Sequence, residues 1–183
     1  MAHTNPYEVC PILEAEQFTL RLVAMDDVAD LMACYSDSAV QERFNADNCT
    51  SNFRYATIAE MEECIQSWIS AYHAKNFIRF AIIDKEVSRA IGTIEMFSSG
   101  NFGGVLRLDI ASAYETEVCL TELVSLCTAE FHDMFQVKRM VTKAIPAAVE
   151  RVRVLQTLGF APISFKRSSE AKPSEHYWAH SSR

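Results

Sequence analysis

The sequence predicts an α/β domain built on a mixed sheet, with helices on both of its faces. Residues 78–83 and 91–97 alternate as two strands joined by a charged turn, and residues 105–110 follow a glycine-containing connection, which indicates a run of hairpins. Residues 105–110, a helical segment over about 116–134 and a strand at 139–145 then form a β-α-β crossover. Hairpins produce antiparallel pairs and a crossover produces a parallel pair, so the sheet is predicted to be mixed.

The N-terminal half of the chain is predicted to contain one strand followed by two helices. Residues 18–23 alternate in hydrophobicity, and Asp26–Asp27 offers an N-cap for a helix that extends to about Tyr35. Residues 41–56 are polar and irregular and are predicted to form a long loop. Thr57–Glu60 is a capping box, and it opens a helix with one apolar stripe, formed by Met61, Ile65, Trp68 and Tyr72.

The C-terminal half is predicted to complete the sheet. Apolar residues at helical spacing predict a helix over Thr116–Met134. Pro146 suits the first turn of a further helix, and Gly159 suits the position just after its end. Residues 160–165 and 176–180 are predicted to be the two closing strands. The predicted order of elements is therefore β-α-α-β-β-β-α-β-α-β-β.

The composition is that of a globular protein. The chain has 183 residues, of which 49% are hydrophobic and 22% are charged, and its net charge is −7. These values predict a single domain over residues 1–183 with a sizeable core, and they disfavour nucleic acid as a partner. No segment has the roughly 18 consecutive apolar residues of a membrane helix, and the N-terminus does not resemble a signal peptide. We therefore expect a soluble, cytoplasmic protein with no membrane partner. The spacing of the six cysteines and five histidines indicates no metal site.

The junction between the strand at 105–110 and the next helix bears most directly on function. A strand that runs straight into a helix N-terminus presents unpaired backbone N–H groups, which can bind an anion. Here the junction contains no glycine and carries Glu115 and Glu117. Glutamates in a first helical turn are stabilised by the helix dipole whether or not a ligand binds, but they would repel a phosphate. Both interpretations, an anion site and a helix start occupied by its own glutamates, stay open at this point.

Three stretches and the order of the elements resemble the GNAT superfamily of N-acetyltransferases, most closely the branch that includes the ribosomal-protein N-terminal acetyltransferases. The stretches are Phe18–Val23, Ala90–Glu95 and Val152–Phe160, and the resemblance covers roughly residues 16–180. It implies transfer of an acetyl group from acetyl-CoA to a primary amine of a small molecule or a protein N-terminus, by direct attack of the amine. A homodimer would also fit the family.

By this resemblance, acetyl-CoA would lie where the sheet opens between the strands at 105–110 and 139–145. Its pantetheine arm would hydrogen-bond to the edge of the first strand, and its pyrophosphate would meet the start of the following helix. The residues implied in cofactor binding are Ile110, Ala111, Ser112, Glu115, Thr116, Glu117, Val118, Cys119 and Leu120.

Three features that recur in the family are absent from this chain. Residues 115–120 stand in place of the glycine-containing pyrophosphate loop, and Ala148 stands near the place of an Asn that contacts the cofactor. No Tyr follows between Val149 and Phe160, where the family often has one that protonates the departing thiolate. The alternative function is therefore a GNAT-fold binding or regulatory module that has lost efficient CoA binding.

Three residues are candidates for proton transfer. Asp109 lies on the strand where the family often carries its general base, and a surface pair with Arg107 is the alternative role for it. Glu95 on the preceding strand is a second candidate, and Tyr114 could donate a proton or bind the substrate. The long loop after the first helix is where the family shapes its acceptor site, which implies substrate-binding roles for Phe53, Arg54 and Tyr55. The alternative is an ordinary loop.

Overall fold

A computed structural model describes residues 5–44, 53–98, 103–165 and 174–182 of the chain. Within these ranges the strands are β1 (Leu13–Glu14), β2 (Phe18–Leu22), β3 (Ile78–Asp84), β4 (Arg89–Ser98), β5 (Gly104–Ile110), β6 (Arg139–Lys143), β7 (Ala161–Phe165) and β8 (Ser174–Ser181). The helices are α1 (Val28–Tyr35), α2 (Gln41–Phe44), α3 (Ile58–His73), α4 (Glu117–Met134) and α5 (Val149–Thr157). Short 3-10 turns at Met25–Asp27 and Ser112–Tyr114 precede α1 and α4.

The strands form one mixed sheet in the order β1-β2-β3-β4-β5-β6-β8-β7. Neighbouring strands are antiparallel except β5 and β6, which are parallel as the crossover predicts. These two strands pair only at Gly104 with Met140 and at Val105 with Val141. Over Leu106–Ile110, β5 is therefore paired with β4 on one side, and in the described part of the chain it has no strand neighbour on the other. We call the space between β5 and β6 beyond these two pairs the gap.

Helices cover both faces of the sheet and bury a separate hydrophobic core on each. On one face α4 and α5 contribute Leu123, Phe131 and Leu155 to the core. On the other face α1 and α3 contribute Tyr35 and Trp68. Side chains alternate along a strand, so the leucines of β5 enter the first core while its two charged residues point to the second face. This alternation places charged groups beside the gap.

The capping box at Thr57–Glu60, the helix start at Thr116 and the glycine after α5 are confirmed, whereas Asp27 precedes α1 without a capping hydrogen bond from its side chain. The Thr57 hydroxyl accepts a hydrogen bond from the Glu60 N–H, and the Glu60 carboxylate accepts one from the Thr57 N–H, which is the predicted capping box of α3. The Thr116 hydroxyl accepts from the Cys119 N–H and caps α4. Gly159 follows the end of α5 with a φ of 83°, a conformation that glycine adopts with little strain.

The structure differs from the predicted elements in three places. A two-residue strand, β1, precedes the predicted first strand, and a one-turn helix, α2, lies within the predicted loop 41–56. Residues 45–52 of that loop lie outside the described residues. Helix α5 begins at Val149 rather than at Pro146, because the Ala148 N–H donates to the Ile145 oxygen and closes a turn first. None of the helices in the described ranges has the length and apolar character needed to cross a membrane.

Candidate active site

The gap between β5 and β6 is lined by charged side chains that come from both faces of the sheet. Its walls include Arg107 and Asp109 of β5, Lys143 of β6, Arg43 of α2 and Arg151 of α5. These side chains leave a cavity of only about 10 Å³, which is close to the minimum for a single water molecule. The main chains of β5 and β6 thus separate as the resemblance implies, but side chains occupy most of the space between them.

A buried polar cluster lies beside the gap, on the face covered by α1 and α3. The register of the strands aligns Arg79 of β3 with Glu95 of β4 and Arg107 of β5. The next row on the same face aligns Thr93 with Asp109, and residues directly opposite on neighbouring strands contact one another. Tyr35 of α1 completes the set. The members of the buried polar cluster are Tyr35, Arg79, Thr93, Glu95, Arg107 and Asp109.

Arg79 stands at the centre of this cluster and is 1% exposed. Its guanidinium is paired with the carboxylate of Glu95, which also accepts from Arg107 at 3.2 Å. Arg79 also donates to the hydroxyl oxygen of Thr93 at 3.0 Å, and the indole ring of Trp68 lies 4.1 Å from its Cζ atom. A buried charge persists only when it is paired and hydrogen-bonded. Burial acts to lower the pKa of Arg79, but the acidic groups around it, Glu95 first among them, raise that pKa above its usual value.

Asp109, the predicted general base, is buried at the edge of the gap. Its Oδ2 atom accepts a hydrogen bond of 2.8 Å from the Tyr35 hydroxyl and lies 3.5 Å from Arg79. Burial raises the pKa of Asp109, while Arg79 and Arg107 act in the opposite direction. The alternative role, a surface pair of Asp109 with Arg107, is wrong, because both residues are buried and Arg107 is paired with Glu95. A carboxylate with a raised pKa is better suited to accept a proton near neutral pH.

The raised pKa of Asp109 predicts a pH dependence of stability. A carboxyl group whose pKa is higher in the folded state stabilises the fold fully below its unfolded pKa of about 3.9, and this contribution is lost as the pH rises through the folded pKa. A tenfold difference in the acid dissociation constant between the two states corresponds to about 1.4 kcal/mol. We therefore expect the stability of the native protein, relative to that of Asp109→Asn, to fall as the pH rises above about 3.9, measured by urea unfolding at several pH values.

Asp84→Asn is the matched control for this experiment. Burial acts to raise the pKa of Asp84, but hydrogen bonds from Tyr114 and from the backbone at Glu86 and Val87 outweigh this effect, so the pKa is lowered. Such a group stabilises the fold above its unfolded pKa and loses the contribution only as the pH falls through its folded pKa. The difference between the native protein and Asp84→Asn should not fall over the same pH range. Equal pH profiles for the two variants would contradict the assignment.

The predicted substrate-binding residues lie over the buried polar cluster. The Phe53 ring stacks on Tyr35 with a centroid distance of 5.9 Å, and it lies 5.1 Å from the Cζ atom of Arg107. The Tyr55 ring meets Tyr35 edge-on, and its hydroxyl lies 2.8 Å from the Cys64 sulfur. Arg54 is exposed between them. Phe53 and Tyr55 are thus walls of the cluster, and their roles in acceptor binding stay predictions.

Tyr114 is not brought to the gap by the structure. Its hydroxyl donates to the Asp84 carboxylate at 2.7 Å, and its ring packs against Phe18 of β2. Burial and the charge of Asp84 raise the pKa of Tyr114 to about 12. Asp84 belongs to β3, which β4 separates from β5, so the side chain points away from Asp109 rather than toward it. Its predicted role as a proton donor receives no support from this placement.

Glu115 is buried at the start of α4 and binds two arginines. Arg151 of α5 is paired with one carboxylate oxygen, and Arg43 of α2 lies 3.2 Å from the other. We call Arg43, Glu115 and Arg151 the Glu115 bridge. Glu117 pairs with Arg153 at 2.9 Å on the exposed surface. The two glutamates of the junction therefore have different environments, and of the two only Glu115 contacts side chains that line the gap.

The other predicted cofactor-binding residues differ in how accessible they are to a ligand. Thr116, Glu117, Val118 and Cys119 form the cap and first turn of α4, where Val118 is 68% exposed. The Ser112 N–H already donates to Asp37 at 3.0 Å. The side chains of Ile110 on β5 and Leu120 on α4 are fully buried in the core between the sheet and α4. The Leu120 N–H donates to the Thr116 oxygen. Leu120 is therefore not available to a ligand. Ala111 links β5 to the 3-10 turn.

Sequence reasoning missed four of the residues that shape this site, namely Tyr35, Arg43, Arg79 and Arg151. One signal for Arg79 was available, since it is the single charge in the apolar run Ile78–Ile83. Glu95 is likewise the single charge in the apolar run Ile91–Phe97. Charges of opposite sign on neighbouring buried strands predict a pair. Within the described ranges, no group of three or more His, Cys, Asp or Glu side chains could hold a metal ion.

Comparison with known proteins identifies the family. Residues 17–161 match the acetyltransferase (GNAT) domain. The uncharacterized N-acetyltransferase YoaA of Bacillus subtilis (strain 168) is 30% identical over 84 residues. That match covers 46% of this chain and 44% of the relative, so the chain spans less than half of that relative's length.

Solved structures show the same fold. The GNAT-family acetyltransferase from Bacillus anthracis superposes with a TM-score of 0.72 at 15% identity, over 93% of this chain and 98% of that one. RimL, a ribosomal L7/L12 α-N-protein acetyltransferase in complex with coenzyme A, superposes with a TM-score of 0.70 at 10% identity, over 93% and 98%. GNAT acetyltransferases take their acetyl group from acetyl-CoA. Because the domain match covers most of the chain, the protein belongs to the GNAT acetyltransferase family, as its sequence predicted.

Proposed function

We propose that the protein transfers the acetyl group of acetyl-CoA to a primary amine, and that donor and acceptor meet in the gap between β5 and β6. The observation that carries this proposal is the divergence of the two strands after only two pairs, beside the buried carboxylate of Asp109. The gap also leads to the start of α4, where helix geometry leaves backbone N–H groups available to an anion. The acceptor, a small amine or a protein N-terminus, and a homodimer stay predictions.

Asp109 acts as the general base in this proposal. It takes one proton from the acceptor ammonium group, and the freed nitrogen attacks the acetyl carbon. The carbon–sulfur bond then breaks and CoA leaves as a thiolate, which takes the second proton that the nitrogen loses as the amide forms. The Tyr35 hydroxyl donates to Asp109 and orients it. Burial and the charge of Asp109 hold the pKa of Tyr35 well above its usual value, so this hydroxyl keeps its proton. Glu95 is held by two guanidinium groups and acts as a positioning residue for Arg79.

Replacing Asp109 by asparagine tests this assignment. We expect kcat/KM for acetyl transfer to fall about 10²- to 10³-fold, the usual contribution of a general base, while the Kd for acetyl-CoA stays within about twofold. The readout is release of the CoA thiol across a panel of primary amines, with the Kd measured by calorimetry. Asp133→Asn, an exposed change at the far end of α4, is the control. Full activity of Asp109→Asn would remove Asp109 from the mechanism.

The second candidate function is a binding or regulatory module without transferase activity. It is favoured by the Glu115 bridge, which puts a carboxylate where a pyrophosphate would lie and fills the gap with arginine. As it stands, the cavity of about 10 Å³ does not admit a pantetheine arm. Absence of acetyl-CoA binding at millimolar concentration would favour this candidate over the enzyme.

A further inference from the structure

We infer that Arg151 occupies, in the free protein, the place of the pantetheine arm of acetyl-CoA, so that the coenzyme binds only when this arginine leaves. This inference rests on the proposed function and adds a regulatory element to the same site. The element is the Glu115 bridge, in which Arg43 and Arg151 hold Glu115 from opposite sides.

Arg151 is bonded to the strand edge that the coenzyme needs. Its Nη1 atom donates to the main-chain oxygen of Leu108 at 2.8 Å, and its Nη2 atom donates to the Glu115 carboxylate. Leu108 lies in the stretch of β5 that is paired with β4 alone within the described chain. The N–H and C=O of one residue point to the same edge of a strand, so both backbone groups of Leu108 face the gap. A pantetheine amide would compete with Arg151 for the Leu108 oxygen.

The volume of the gap leads to the same conclusion. The cavity that remains beside Arg151 is about 10 Å³, whereas sites for ligands of this size are typically about 300–1,000 Å³. On the α1 and α3 side the lining includes Arg43 and Phe44 of α2 and Arg107 and Asp109 of β5. A cavity of this size does not hold a pantetheine arm, so we expect side chains that line the gap to move when the coenzyme binds.

The bridge also covers the second half of the coenzyme site. Glu115 immediately precedes Thr116, the N-cap of α4, which is where the resemblance puts the pyrophosphate. Arg43 reaches Glu115 from α2 and Arg151 reaches it from α5, so the three side chains tie both faces of the sheet together across the gap. One set of contacts therefore blocks the pantetheine arm and offers a carboxylate in place of the phosphates.

Two buried polar atoms of the closed Glu115 bridge lack hydrogen bonds, and this lowers the free energy needed to open it. Among the described residues, Arg151 Nε and Glu115 Oε2 are buried without a hydrogen bond, although Oε2 lies 3.2 Å from Arg43. A buried polar atom without a hydrogen bond destabilises the state that contains it, and water would satisfy both atoms once the bridge opens. Binding is weakened by the fraction of molecules that are closed, because only open molecules accept the ligand.

Arg151→Ala tests the inference by calorimetric titration of the full chain with acetyl-CoA. If the bridge is closed in about nine molecules of ten or more, the Kd of the variant should be lower than that of the native protein by about tenfold or more. This direction is opposite to simple electrostatics, since removing a positive charge should weaken the binding of a polyanion. A tighter Kd is therefore a specific sign that Arg151 competes with the coenzyme.

Arg153→Ala is the matched control, because it removes the same charge from the same helix. Arg153 pairs with Glu117 on the surface and lies outside the gap, so its loss should leave the Kd unchanged or weaken binding a few-fold. The double variant Arg151→Ala with Glu115→Gln removes the buried charge that the single variant leaves behind. If Arg151→Ala alone does not fold, the double variant can still be titrated. Thermal unfolding of each variant shows whether it is folded.

The outcomes separate this inference from the proposed function. Tighter binding by Arg151→Ala than by the native protein, or by the double variant than by Glu115→Gln alone, supports the inference, whether or not an acceptor is known. Equal or weaker binding in the same comparison overturns it while leaving acetyl-CoA as a ligand. No binding by the native protein or by either folded variant overturns both the inference and the proposed function.

Discussion

Replacing Glu95 by alanine is expected to lower the free energy of unfolding by about 3–5 kcal/mol, the range for removing one partner of a buried ion pair. Glu95 is 4% exposed and neutralises both Arg79 and Arg107. Without Glu95, Asp109 would be the one carboxylate left in the buried polar cluster to balance the charges of Arg79 and Arg107. Urea unfolding followed by circular dichroism measures the change, and the slope of the transition shows whether the folded state itself has altered.

Glu117→Ala is the matched control for Glu95→Ala. Glu117 is also paired with an arginine, at 2.9 Å, but both side chains are more than half exposed. Solvent-exposed ion pairs contribute roughly 0–1 kcal/mol, so this variant should unfold within about 1 kcal/mol of the native protein. A similar small loss in Glu95→Ala would mean that the cluster is more hydrated than its burial indicates.

Gly92→Ala is expected to destabilise the protein by at least about 3 kcal/mol, at or above the upper end of ordinary overpacking. A Cβ atom at Gly92 would lie 2.2 Å from the Asp109 oxygen and 2.7 Å from the Ile110 Cα. Both are main-chain atoms of β5, so the clash can be relieved only by separating β4 from β5. Because Asp109 is held by that pairing, the variant should also lose most of its transferase activity, measured by thiol release.

Gly159→Ala distinguishes a steric clash from the general effect of replacing glycine. No atom lies within 4 Å of the position that a Cβ would take at Gly159, although its φ of 83° is strained for alanine. Left-handed strain of this kind costs roughly 1–2 kcal/mol. Gly92→Ala should therefore unfold at clearly lower urea than Gly159→Ala. The reverse order would show that β5 tolerates displacement at this point.

Local signals in the sequence were sufficient to predict much of the fold. Thr57 and Glu60 form their capping box three residues apart, and Gly159 ends α5 through its own backbone conformation. Such interactions involve near neighbours and are visible as short motifs. A β-bulge breaks the simple alternation of side chains in one place. The register between β3 and β4 shifts after Ile82, so Ile91 packs in the core of α4 and α5, on the face opposite to Glu95.

The site was less predictable because its contacts join residues that are distant in the chain. Asp109 was identified from its strand, but its partner Tyr35 is 74 residues away. Glu115 was noticed as a departure from the family, and its partner Arg151 follows 36 residues later on another helix. Read alone, Glu115 is a repulsive charge in a phosphate site. Only the folded arrangement shows that two arginines neutralise it.

The two parallel pairs between β5 and β6 have a consequence for the motions of the molecule. Pairing with β4 runs the full length of β5, whereas pairing with β6 stops after Val105. Spontaneous local opening follows weakly stabilised boundaries in a structure, and the junction between β5 and β6 is such a boundary inside the sheet. We therefore expect the sheet to open locally at the gap, where acetyl-CoA would enter. A ligand that binds only the widened form would raise the melting temperature of the whole chain, by an amount that grows with the logarithm of the ratio of its concentration to its Kd.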